Sequence, residues 1–288
     1  MTAPAEAFPQ LSLVEQERRA YRRGRARRSG VLAGASTVVF LAVFGTAVVL
    51  SPGWSRVQSQ FFDAGYGWEV LPDILRGLWL NLRVLMVSAV LVVLLGLAIA
   101  SARTLRGPVF FPVRLLAAAY TDLFRGIPLI ILLYLIGFGV PGLRLQGVPT
   151  NPVVLGTAAL VLTYSAYVAE VFRAGIESVH PSQRAAARSL GLSYGQTMRR
   201  VVLPQAVRRV QPALLNDFVA MQKDVGLISI LGAIDAVRAA QISVAQSFNF
   251  TPYVVAGLCF VLLAIPSARL ADWVQLRAIR RQQASGAA

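Results

Sequence analysis

Residues 167–204 read YVAEVFRAGIESVHPSQRAAARSLGLSYGQTMRRVVLP, and this stretch decides the fold. It issues directly from the uncharged run Leu145–Ala169, yet it is rich in Arg and Ala. Pro181 suits the first turn of a helix, where a missing N–H costs nothing. Gln183–Leu190 then supplies roughly two turns of strong helix formers. Gly191 fits the left-handed position that closes such a helix. Ser193 and Gln196 have the Ser-x-x-Gln spacing of a capping box, which opens a second short helix. Pro204, after Leu203, is expected to stop or bend that helix. The pattern predicts a polar helix–turn–helix elbow lying across a membrane surface. Ala185, Ala186 and Ala187 give it a small-residue face, and Leu190 and Leu192 are apolar knobs on either side of the turn.

Working outward, the chain is membrane-like. Of its 288 residues, 56% are hydrophobic and 14% charged, against about 25% charged in soluble domains. Uncharged runs recur at Val31–Leu50, Val84–Ala102, Gly126–Leu143, Leu145–Ala169 and Ala239–Ala268. Such lengths suit transmembrane helices. Val210–Ile234 is a weaker run, broken by Asp217 and by Lys223-Asp224. Six spans are expected, with the elbow between the fourth and fifth.

The net charge of +15 is almost wholly Arg, since Lys223 is the only lysine. In a soluble chain this would suggest nucleic acid, but the hydropathy excludes that partner. Instead the cations alternate. Arg18, Arg19, Arg22, Arg23, Arg25, Arg27 and Arg28 precede the first run, and Arg103, Arg106 and Arg114 lie between the second and third. The elbow and its exit hold Arg184, Arg188, Arg199, Arg200, Arg208 and Arg209, while Arg277, Arg280 and Arg281 follow the last run. The other connections hold Arg56, Arg76, Arg144 and Arg238. The positive-inside rule then predicts a multi-pass protein of the cytoplasmic membrane with both termini and the elbow in the cytoplasm. Val31–Leu50 is expected as a retained anchor, because its apolar run exceeds a usual signal sequence and no clear cleavage site follows.

Polar residues at membrane depth are few and therefore informative. Asp122 and Arg125 interrupt the third apolar segment, in TDLFRGIPLI ahead of its uncharged run, and Pro128 should kink or break it. Glu170 and Arg173 end the fourth; Asn216, Asp217, Lys223 and Asp224 cluster in the fifth. Arg125, Glu170, Asn216, Asp217 and Lys223 are candidate substrate-cavity groups, with structural ion pairs as the alternative for each. No nucleophile–base pair or metal-ligand cluster stands in the sequence, so no catalytic or metal residue is assigned. His180, beside a proline, reads as a loop residue. Cys259 is the one cysteine and reads as buried and apolar. No phosphate-cradling glycine loop occurs, so no cofactor is expected on this chain.

In the elbow, Gly191 is followed after nine residues by Val201-Val202-Leu203-Pro204. Upstream stand Tyr167, Glu170, Arg173, Gly175, Ile176 and Val179. Downstream come Leu203-Pro204-Gln205-Ala206 and then Pro212, Asn216, Phe218 and Lys223-Asp224. With Arg125-Gly126-Ile127-Pro128-Leu129, this ordered set resembles the EAA-loop permeases of ATP-binding-cassette importers, in particular the polar amino acid branch. The resemblance spans roughly residues 75–275. Three departures stand out: Ala185 where that family usually has Glu, Ser182 for a glycine, and Val225-Gly226-Leu227 for Thr-Ser-Leu.

The resemblance implies an all-α membrane protein with a five-helix type I importer core plus one N-terminal helix. It divides the chain into a basic tail (1–30), an extra helix (31–50), an external connection (51–76), the transmembrane domain (77–275) with a coupling loop at 177–205, and a C-terminal tail (276–288). Ala185, Ala186, Ala187, Ser189, Leu190, Gly191, Leu192, Leu203 and Pro204 would contact a cytoplasmic ATPase dimer that binds ATP and Mg. An extracytoplasmic solute-binding protein and a second permease complete the implied assembly. The missing Glu at Ala185 points to a non-identical second permease. The implied cargo is a polar amino acid, with a lean to glutamate and with glutamine or a basic amino acid open. An ion-gradient-driven transporter or channel is the rival, but it leaves the elbow unexplained.

Overall fold

The computed structural model describes residues 13–105 and 107–286. Residues 1–12 of the basic tail, Arg106 and the last two positions of the C-terminal tail lie outside the described residues. Every regular element among the described residues is helical. Four helices are long and apolar enough to cross a membrane, or six if each of two bent pairs counts as one span.

The chain divides into a unit ending at Ser59 and a larger one beginning at Gln60. The first is dominated by α1, Leu13–Val49, an unbroken helix of 37 residues. The basic tail from Leu13 onward is therefore continuous with the apolar run, and Val38, Phe40, Val43 and Phe44 on that run are all exposed. An uncharged helical stretch that buries nothing within its own unit calls for a lipid environment. α2, Trp54–Phe61, follows.

In the larger unit, α3 (Ala64–Arg103) is started by Asp63, whose carboxylate accepts the Tyr66 N–H at 3.0 Å. The expected external connection at 51–76 is thus mostly helical, with the long helix beginning well before residue 77. α4 (Phe111–Gly126) and the segment Leu129–Gly142 meet at 104°. That segment comprises α5 (Leu129–Tyr134), a π turn at Leu135–Gly139 and α6 (Val140–Gly142). Pro128 sits at the corner with extended backbone, as the pre-proline and proline restraints require. The third span is broken.

The span read from Leu145 begins at Pro152. There α7 (Pro152–Glu177) is capped by Asn151, whose side chain accepts from Val153 N at 2.8 Å. After the elbow, α10 (Leu203–Asp224) passes through a 3₁₀ turn at Val225–Leu231 into α11 (Ala236–Ser247), with a bend of 50°. The last run, Ala239–Ala268, is therefore two helices. Phe248 takes a left-handed conformation, φ 54°, and the chain restarts as α12, Thr251–Gly286. An uncharged run reports burial in lipid or protein and is silent on a turn inside it.

α3 and α7 pack most extensively, with α10 across them, around Val84, Leu85, Leu160, Tyr164, Met221 and Ile228. A second core, Val70, Ile74, Ala236, Ala240 and Ala256, joins the first half of α3 to α11 and α12. Gly77 makes that junction possible. A methyl group there would meet the Asp235 carbonyl carbon at 2.3 Å and the Ala236 nitrogen at 2.4 Å.

Candidate functional site: elbow and membrane cleft

The elbow is built by local rules. His180 caps α8 (Pro181–Ser189): its Nδ1 accepts the Ser182 N–H at 3.2 Å, so it is more than a loop residue. At the other end Gly191 has φ 80°. The Leu192 N–H donates to the Ala187 carbonyl at 3.2 Å and the Gly191 N–H to that of Arg188 at 3.0 Å. This is the six-to-one, five-to-two pairing that satisfies a helix end. The expected capping box is present in both directions, Gln196 N–H to Ser193 Oγ at 3.3 Å and Ser193 N–H to Gln196 Oε1 at 2.9 Å.

The helix it opens, α9 (Tyr194–Thr197), does not stop at Pro204. A π turn at Met198–Val202 leads straight into α10, and Pro204 occupies the first turn of that helix. There the missing N–H is tolerated.

The elbow is strapped to the ends of the long helices. Ile176, Val179, Val202 and Ala206 are buried together beneath it. From α8, the Arg184 guanidinium donates to the Ile176 carbonyl; from α10, Arg209 donates to the Ser178 carbonyl and, at 3.1 Å, to its hydroxyl. Both cover carbonyls at the C-terminus of α7, where cations are favoured. The Tyr194 hydroxyl reaches the Thr104 carbonyl at 3.0 Å, beyond the end of α3.

What stays outside is a crown. Ala185, Ala186, Ser189 and Gly191 are exposed, and Leu190 is 83% exposed. Ala187 differs from its two neighbours: it is buried, so it seats the helix and offers no docking face. Leu192 and Leu203 are half-buried and Pro204 is exposed.

The five cavity candidates part company. Glu170 accepts Arg103 Nη1 at 2.7 Å and is held by Arg173, whose Nη1 also reaches Glu177 at 2.6 Å. Arg103 donates as well to the buried Thr121 at 3.0 Å. Glu170 is thus the centre of an ion cluster clasping α3, α4 and α7, the structural alternative. Arg125 is exposed and lies 5.7 Å from the Tyr167 ring, a cation–π distance. Asn216 is exposed, while Asp217 has one carboxylate oxygen buried without a hydrogen-bond partner.

Lys223 lines a cleft, about 590 Å³ in volume, walled by the 3₁₀ turn, α11 and α12. Arg238, Gln241, Ser229 and Tyr253 share the wall. Neither Lys223 nor Arg238 has a carboxylate partner among the described residues. The neighbouring Asp224 is engaged instead, accepting the Tyr164 hydroxyl at 2.8 Å.

Sequence reasoning missed the knot that shapes this cleft. Asn81 on α3 is fully buried; it donates to Asp235 Oδ2 at 2.9 Å and to the Val225 carbonyl at 3.2 Å, and accepts from Ala236 N at 3.1 Å. Asp235, also fully buried, caps α11 through the Arg238 N–H at 2.8 Å. One side chain thereby holds both sides of the bend between α10 and α11. Its only trace in the sequence is an amide inside an apolar helix.

Residues 92–280 match the family described as binding-protein-dependent transport system inner membrane component. The chain is 33% identical over 196 residues to the arginine transport system permease protein ArtQ of Bacillus subtilis, covering 68% of this chain and 87% of that one. It is 36% identical over 186 residues to the probable glutamine ABC transporter permease protein GlnM of the same organism, covering 64% and 82%. Among solved structures it resembles a chain of an amino acid ABC transporter crystallised with histidines, at 33% identity and TM-score 0.64, over 72% of this chain and 94% of that one.

Proposed function

Since the chain belongs to the binding-protein-dependent transport system inner membrane component family and is a non-catalytic, multi-pass amino acid ABC transporter permease, we propose that its elbow is the handle through which a separate cytoplasmic ATPase dimer works the membrane helices. One observation supports this above the rest. The exposed crown around Leu190 sits on a base bound to α7 and α10 by two arginines and a buried apolar cluster. A force on the crown is then delivered to the bundle instead of being absorbed by a flexible loop. The bundle would alternate between two packed arrangements, ATP and Mg on the partner biasing one of them. In this reading both termini and the elbow are cytoplasmic, and a solute-binding protein delivers cargo to the opposite face.

The cargo we propose is an anionic amino acid, glutamate first, reached through the cleft below the bend. Lys223 and Arg238, which share one wall and have no carboxylate partner among the described residues, offer one cation for each carboxylate, Arg238 being held by Gln241 at 2.7 Å. A second, non-identical permease is proposed from Ala185, an exposed alanine where the family usually carries Glu.

Reconstitution of the full complex tests each layer. A P-loop ATPase and a second permease should copurify with the chain. Uptake should stop without ATP although ion gradients remain, and Leu190→Asp should uncouple ATP hydrolysis from uptake while the complex still reaches the membrane. Glutamate should stimulate hydrolysis more than glutamine or arginine, and Lys223→Met should remove that stimulation. Gradient-driven uptake without ATP would overturn the coupling reading; stimulation by arginine alone would overturn the cargo.

A further inference from the structure

Arg83 stands outside the elbow, the clasp and the cleft. Arg83 lies on α3 at the edge of its most apolar stretch, is exposed, and has no partner among the described residues. Twenty residues separate it from Arg103 at the elbow end, about 30 Å of helix. That length equals the hydrocarbon thickness of a bilayer, roughly 30 Å. With Arg103 in the clasp at one interface, Arg83 falls at the other.

Arg83 also lines a groove near its end remote from the elbow, with Leu80 one turn beyond it. A cavity of about 710 Å³ runs between α3 and α7, with Leu80, Val84, Val87 and Leu91 on one wall and residues from Val153 to Leu162 on the other. From Arg83 to Leu91 is about 12 Å of helix, close to one leaflet of the core. Apart from Arg83 and Thr157 the lining is wholly aliphatic or alanine. A cation at interface depth beside a leaflet-long apolar trough matches the two halves of one amphiphile. A guanidinium binds phosphate by paired hydrogen bonds, and aliphatic walls take hydrocarbon.

We propose that this groove is a binding site for an anionic glycerophospholipid of the leaflet remote from the elbow, its phosphate on Arg83 and an acyl chain between α3 and α7. The inference needs only that these helices span a membrane, so it stands or falls apart from the ATPase and cargo readings. A lipid wedged there would brace the very pair of helices that forms the largest interface of the bundle.

The test is native mass spectrometry of the complete complex released from nanodiscs of equal phosphatidylglycerol and phosphatidylcholine. The wild-type chain should retain phosphatidylglycerol preferentially. Arg83→Ala should lower that preference roughly tenfold, as loss of a charge-assisted hydrogen bond would, and Arg83→Lys should restore part of it. Ala158→Trp, which fills the trough and keeps the cation, should expel the lipid, with membrane yield confirming that the variant folds. A photo-crosslinker at Val87 should label lipid. Equal retention of both lipids by the wild type would overturn the site, as would retention unmoved by Arg83→Ala or Ala158→Trp. Crosslinking of Val87 to α1 or to a second permease chain would do so too, by showing that protein fills the groove.

Discussion

The elbow and the cleft sit in the same helical bundle but are held by different kinds of contact. In the elbow, the hydrogen bonds that cap its two helices join residues close in sequence: His180 to Ser182, Ser193 to Gln196, and Leu192 to Ala187. In the cleft, Asn81 meets Asp235 and Ala236 across more than 150 positions. Local capping makes a rigid shape that can be exposed and docked against. Long-range burial makes a bend that can enclose a solute. The first tolerates change at its surface; the second tolerates almost none.

That contrast can be broken most sharply at Gly77. Gly77→Val puts methyl groups into the backbone of Asp235 and Ala236, where no side chain can move aside. Overpacking of flexible cores costs about 1–3 kcal/mol, and this contact with rigid backbone should exceed that. The expected result is no folded protein, read as loss of the monodisperse peak in detergent chromatography.

Asn81→Leu is the next strongest break. It leaves the buried Asp235 carboxylate and the Ala236 N–H without their partner, a loss of about 3–5 kcal/mol by analogy with broken buried polar pairs. Thermal unfolding should fall markedly, and Asn81→Asp, which cannot donate to Asp235, should not rescue it.

In the elbow the effects should be smaller on stability and larger on function. Gly191→Val forces a β-branched residue to positive φ, a strain of roughly 1–3 kcal/mol. Because nothing lies within 4 Å of the added Cβ, the bundle should stay folded and inserted while ATP-driven uptake is lost. Normal uptake would refute a turn that must keep this geometry. Ser193→Ala removes one cap, worth about 1 kcal/mol; uptake should drop only in part, and Ser193→Asp should recover it.

Much of this was legible in the sequence, and its limits are physical. The elbow's glycine turn and capping box and the broken third span at Pro128 followed from residue type and spacing, and the six expected spans correspond to four long helices and two bent pairs. The ends of elements were less clear. Pro204 was expected to end a helix, yet at the first turn of α10 its missing N–H is harmless. The apolar run 239–268 hid the turn at Phe248, because hydropathy is blind to a break that lipid and protein cover alike. Among the charged candidates, spacing could not separate Glu170, clasped by Arg103 and Arg173, from Lys223, which lines the cleft.

By itself the sequence determined that this is a basic-sided membrane bundle with a capped helical elbow after its fourth span, since hydropathy, charge alternation and capping act within a few residues of each other. Only the tertiary structure decided which charges are neutralised, which line the cleft, and that Asn81 pins the bend through Asp235. Those outcomes depend on which helix faces meet, and that is set by packing between residues the chain holds far apart.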